Sequence, residues 1–152
     1  MAIVRKYKRK IEDSWIEVLQ DTADLVALIP AAQIQRWDDV SSASNADAYV
    51  LVYCAEVMQD PDAGPRSTLR RALVNVRATT HKASDKDAET VDDAGAAIED
   101  LLYSASLLSN LELAVANLTT HQVLIEDSEV DDSGTWRVRQ FTLDCRIEIT
   151  PP

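Results

Sequence analysis

The chain has 152 residues, the length of one domain, and its 46% hydrophobic and 27% charged content sits near the globular average. Its 15 Lys and Arg stand against 26 Asp and Glu, a formal charge of −11 that weighs against general affinity for nucleic acid. The three glycines, Gly64, Gly95 and Gly134, lie too far apart to cradle a phosphate in one loop, which excludes the P-loop and dinucleotide fingerprints.

Residues 1–10 carry Arg5, Lys6, Lys8, Arg9 and Lys10 and no acid. This basic arm either touches nucleic acid, a membrane surface or an acidic neighbour, or is a solvated end. Ile11-Glu12-Asp13 follows where a secretory signal would be apolar. The longest apolar run, Ala48 to Ala55, is far below the ~20 residues that cross a bilayer, so the expectation is a cytoplasmic protein without a membrane partner.

Residues 11–152 read as a single α+β domain. Ile11, Trp15, Val18, Leu19, Leu25, Val26 and Ile29 recur at helical spacing and predict a first helix that Pro30 ends. Gln33 to Trp37 suits a short strand, and Asp38 to Asp47 a polar loop. Tyr49 to Met58 is apolar at both alternating positions, which predicts a central strand covered on both sides. Asp60 to Pro65 is turn chemistry, and Thr68 to Thr80 alternates Ala72, Val74, Val76 and Ala78 against Arg71, Asn75, Arg77 and Thr79, completing an antiparallel hairpin.

Ser84 is the expected N-cap of a second helix running to about Leu108, with Asp85, Asp87 and Glu89 suiting its positive end. Leu111 to Leu118 is a further helical turn or the lead into a strand. Val123 to Glu126 begins an extended segment, and Asp127 to Gly134 is an acidic connection. Phe141, Leu143, Cys145, Ile147 and Ile149 then alternate with polar residues, whereas Trp136 and Val138 stand on the opposite parity. Either a bulge near Arg139 re-aims this strand, or its outer side is also covered by a partner surface. The fold implied is an antiparallel sheet with two main helices packed on one face.

No cofactor motif stands out. Cys54, His81, His121 and Cys145 lack paired zinc spacing, so no metal site is expected; the cysteines read as reduced core thiols and the histidines as surface. Counted from Asp127, the acidic run has Asp132 where a calcium loop needs glycine and Val138 where it needs glutamate. No serine elbow or metalloprotease motif is present, so no catalytic residue is assigned. Two other functions stay open: a small cytoplasmic enzyme whose carboxylates act with His81 or His121, and an acidic module that mimics nucleic acid.

The order of elements is similar to one family. A helix ending Leu25-Val26-Ala27-Leu28-Ile29-Pro30 leads into Gln33-Ile34, then Tyr49-Val50-Leu51-Val52-Tyr53, Leu73-Val74-Asn75-Val76-Arg77, an amphipathic helix and a hairpin arm from Trp136 to Ile149. Over Ile11 to Ile149 this resembles the tail terminator (tail completion, minor tail) proteins of long-tailed bacteriophages. The resemblance implies a virion structural protein that closes into a homo-oligomeric ring, a hexamer, on the tail tube protein. It also implies a head connector or neck protein on the other face, with DNA passing through unbound. A neck or head-completion adaptor is the alternative of the same class. Under the resemblance, Trp136 and Val138 are subunit-interface residues, and Asp127, Glu129, Asp131 and Asp132 face the channel or a neighbouring ring. The family assigns no role to the basic arm.

Overall fold

The computed structural model describes residues 2–39, 46–60 and 68–150, with the backbone alone for residues 2–6. Most of the expected 38–47 loop and nearly all of the turn after Asp60 lie outside the described residues.

Helix α1, Ala2–Gln20, begins at the basic segment itself, and residue 10 marks no break in it. Ile11, Trp15, Val18 and Leu19 bury one face. The expected helix does not continue to Pro30: Thr22 is extended, with φ −84° and ψ 103°, and its hydroxyl donates to the Val18 carbonyl. A four-residue helix α2, Ala23–Val26, follows and helps bring Leu25 and Ile29 into the core. Side-chain competition for the helix carbonyls at Thr22 supplies the break that apolar spacing concealed.

Five strands form one mixed sheet in the order β1-β2-β3-β5-β4: β1 is Ile34–Arg36, β2 Ala48–Gln59, β3 Leu69–His81, β4 Leu118–Asp131 and β5 Trp136–Ile149. All neighbours are antiparallel except β1, which runs parallel to β2 along Val50–Val52. Beyond β1, helix α1 supplies partners for the β2 backbone. The Glu12 carboxylate accepts the Cys54 amide hydrogen at 2.9 Å, and Lys8 Nζ donates to the Ala55 carbonyl at 2.9 Å.

The core lies between the sheet and a helix layer on one face. Val50, Val52 and Cys54 of β2, Ala72, Val74, Val76 and Ala78 of β3, and Leu143 and Cys145 of β5 are fully buried there. Among the described residues, no α-helix packs on the opposite face. Strand β2 is therefore not covered on both sides: Leu51 is half-buried and Tyr53 exposed on that open face. Two-sided apolarity here marks an internal strand, flanked by β1 and β3, whose second face buries Tyr49 and leaves Tyr53 exposed.

Helix α3 is Glu89–Leu102, shorter than expected at both ends. Ser84 is not its N-cap. Asp85, buried before the helix, accepts the Thr90 and Val91 amide hydrogens at 3.1 and 3.0 Å and the Thr80 hydroxyl at 2.8 Å. Ala88 turns the chain between them in the left-handed region, at φ 59°. The chain breaks again at residues 103–106, and Leu111 belongs to a separate helix α4, Leu107–Ala114.

The acidic segment is strand, not connection. Strand β4 runs to Asp131, with register shifts at Thr120/Gln122 and Ile125/Asp127. As an edge strand exposed over its second half, it tolerates charge on either side, and charge discourages edge-to-edge pairing. The register of β5 against β3 is unbroken from Trp136 to Glu148, so no bulge occurs at Arg139.

Candidate assembly surface

The pleat decides which side chains share the open face. Register rows across β2, β3, β5 and β4 place Tyr53, Asn75, Thr142 and Asp127 in one line. The next is Leu51, Arg77, Gln140 and Glu129, and the next Tyr49, Thr79, Val138 and Asp131. Trp136 stands opposite His81 at the end. The odd-parity pair and three of the four acids thus share one surface, with Asp131 directly across from Val138.

Trp136 is covered in part by its own chain. Its ring lies 5.1 Å from His81, edge-on, and 6.1 Å from Tyr49. Val138 is half-buried between Thr79 and Asp131. Arg137 and Arg139 point to the helix side instead. Arg137 donates to the Asp85 and Lys86 carbonyls, and Arg139 pairs with Asp132 and with Asp92 of α3, both at 2.8 Å.

The acids divide accordingly. Asp132 turns back to Arg139 and Arg137; the Arg139 hydrogen bond outweighs partial desolvation and holds its pKa below the usual carboxylate range. The side-chain and backbone donors of Ser133 lower that of Asp131. Glu126, Asp127 and Glu129 are exposed and make no ion pair or hydrogen bond from their side chains with any described residue.

Sequence reasoning missed the other end of the face. Trp37, Leu51, Tyr53, Asn75, Arg77 and Gln140 line a shallow hollow of ≈ 600 Å³. Trp37, 51% exposed, meets Tyr53 edge-on at 5.0 Å. Arg77 is exposed and donates to Gln140 Oε1 at 2.8 and 2.6 Å, with no carboxylate paired to it among the described residues. The signal lay in Tyr49, Leu51 and Tyr53, large side chains at alternate positions facing the polar side of β3.

The remaining candidates lie apart. Cys54 and Cys145 are free, buried thiols; burial pushes Cys54 up to about 12 and Cys145 higher, so both stay protonated at neutral pH. His81 packs against Trp136, and its Nδ1 accepts the Ala83 amide hydrogen. His121 is exposed, with Nε2 3.0 Å from Glu148 Oε1. Hydrogen bonds from His121 and Thr68 lower the Glu148 pKa, the reverse of what a general acid needs. No group of three or more metal-ligating side chains occurs among the described residues, and none of their helices is long and apolar enough to cross a membrane. Of the basic residues, Lys8 and Lys10 donate to the Ala55 and Ala116 carbonyls and Arg9 is exposed; the side chains of Arg5 and Lys6 lie outside the described set.

No family model and no curated protein sequence matches this chain. Among solved structures, the fold is similar to that of a chain in the "Virion of native gene transfer agent (GTA) particle". The TM-score is 0.57 at 18% identity, over 87% of this chain and 90% of that one. At that identity the likeness is one of fold.

Proposed function

We propose that this protein is a structural subunit of a phage-type virion, and within that class a tail terminator. Copies close head to tail into a ring that caps the tail tube and offers its other face to the head connector. The observation that carries this reading is the likeness of most of the fold to a chain of a virion particle, over 87% of this chain and 90% of that one.

The surface chemistry agrees with assembly. An open sheet face carrying exposed Trp37, Tyr53 and Leu124 has much to gain from being covered. A ring of six would carry six times the −11 formal charge, and a channel lined with carboxylates repels phosphate, so DNA slides through without sticking. In this reading Asp127, Glu129 and Asp131 front the channel or a neighbouring copy, and Trp136 and Val138 lie within the buried contact. Asp132, neutralised inside the subunit, contributes little to that field.

Negative-stain images of the purified protein, and of tails carrying a labelled copy, test the proposal. Annular particles with the label at the head-proximal end of the tail support it. Label found at the neck on tail-less heads selects the neck adaptor instead, and label absent from virions defeats both.

A further inference from the structure

The hollow and the acidic strand lie toward opposite margins of one sheet and are complementary in chemistry. At the β1–β2 side, Trp37, Leu51 and Tyr53 offer apolar surface, and Arg77 offers a cation whose one hydrogen-bond partner among the described residues is the neutral Gln140 amide. At the β4 side, Asp127 and Glu129 offer unpaired carboxylates, and Val130 is 69% exposed. Within the chain these do not meet, because Arg77 is turned onto Gln140. Arg77 and Glu129 sit two strands apart, roughly 10 Å, with Gln140 between them.

We propose that the hollow receives the β4 edge of a second copy of this chain, with Val130 against Trp37, Leu51 and Tyr53 and Glu129 on Arg77. The inference rests on the assembly reading and specifies its contact. An occupant of this hollow must bring a carboxylate together with an apolar group, and an edge strand of an acidic chain presents both. Glu129 and Val130 project to opposite sides of β4, so only an edge-on approach brings both into one hollow. Two open faces stacked flat would leave Val130 outside. Edge-on docking leaves the pair with one unused hollow and one unused edge, which makes the contact head to tail and lets it continue until it closes.

The test uses full-length chains with exposed-site substitutions. In a mixture of Arg77→Cys and Glu129→Cys proteins, a bis-maleimide long enough to span the length of an Arg–Glu pair is expected to give a covalent dimer containing one of each, and neither variant alone gives it in quantity. The native thiols do not compete, being fully buried. In parallel, Arg77→Glu and Glu129→Arg are each expected to weaken assembly about tenfold or more, with the far-ultraviolet circular dichroism of the subunit unchanged, and the double reversal to restore it. Assembly that tolerates both single reversals, or a mixture yielding no mixed cross-link, overturns this contact while leaving the ring in place. A wild-type chain that fails to assemble at any concentration and on tails removes the reading beneath it.

Discussion

Glu12 and Asp85 show how the pKa values of two buried carboxylates in one small domain are shifted in opposite directions. Burial raises the Glu12 pKa, and the single Cys54 amide does not offset it, so ionised Glu12 is a cost at neutral pH. A raised folded pKa contributes stability that is full below the unfolded value and is lost as pH rises through the folded one. Glu12→Gln keeps an acceptor for Cys54 and removes the charge. It is expected to match or exceed the wild type at pH 7, within about 1 kcal/mol, and to lose that margin near pH 4. Glu12→Leu leaves the amide unsatisfied and is expected to cost about 1–3 kcal/mol. Urea denaturation at the two pH values separates the three proteins. Burial also works to raise the Asp85 pKa, but donors from Thr80, Val91 and Thr90, with Arg137 nearby, outweigh it and leave the group below its ordinary value. Its contribution is present above the unfolded pKa and lost as pH falls through the folded one. Asp85→Ala is expected to cost about 1–2 kcal/mol at pH 7 and progressively less below about pH 4, as thermal melts across that range will show.

At the scale of elements, α3 joins the helix layer to the β4–β5 hairpin through Asp92 and Arg139, and Gly95 lies beneath that arginine. A Cβ at Gly95 would meet Arg139 Cβ at 3.5 Å, an ordinary contact, and the residue is in helical backbone. Gly95→Ala is therefore expected to stabilise by about 0.5–1 kcal/mol in chemical denaturation, since the alanine chain has less freedom to lose. Regular burial made some elements plain beforehand. The alternation of Ala72, Val74, Val76 and Ala78 against polar neighbours is the burial pattern of β3, and the run from Phe141 to Ile147 is that of β5. Other elements were hidden where charge imitates loop. Residues 127–131 are acidic, yet the 14-residue β5 gives them a ladder to join. The basic residues before Ile11 suggested an arm, yet their backbone is α1, and Lys8 and Lys10 reach carbonyls that apolar periodicity does not reveal. The Ser84 cap failed because Asp85, one residue on, reaches the same end of the helix across a left-handed turn at Ala88.

For the whole molecule, the decisive asymmetry is a sheet with one face buried under helices and the other without an α-helix among the described residues. The opposite-parity pair Trp136 and Val138 pointed to that face from the sequence, but the hollow at its other end requires the register of three strands to come into view. Trp136 also rests on His81 and Tyr49 of its own chain, so replacing it perturbs the subunit as well as any contact, and Arg77 is the sharper probe. In the proposed function this surface joins identical copies. Light scattering of the purified protein over a concentration series tests that most directly. The expected result is a mass at a fixed multiple of the 16.8 kDa chain, six-fold for the ring, that falls away when Arg77 is reversed to Glu. A mass of one chain at every concentration, unchanged when isolated tails are added, would contradict it.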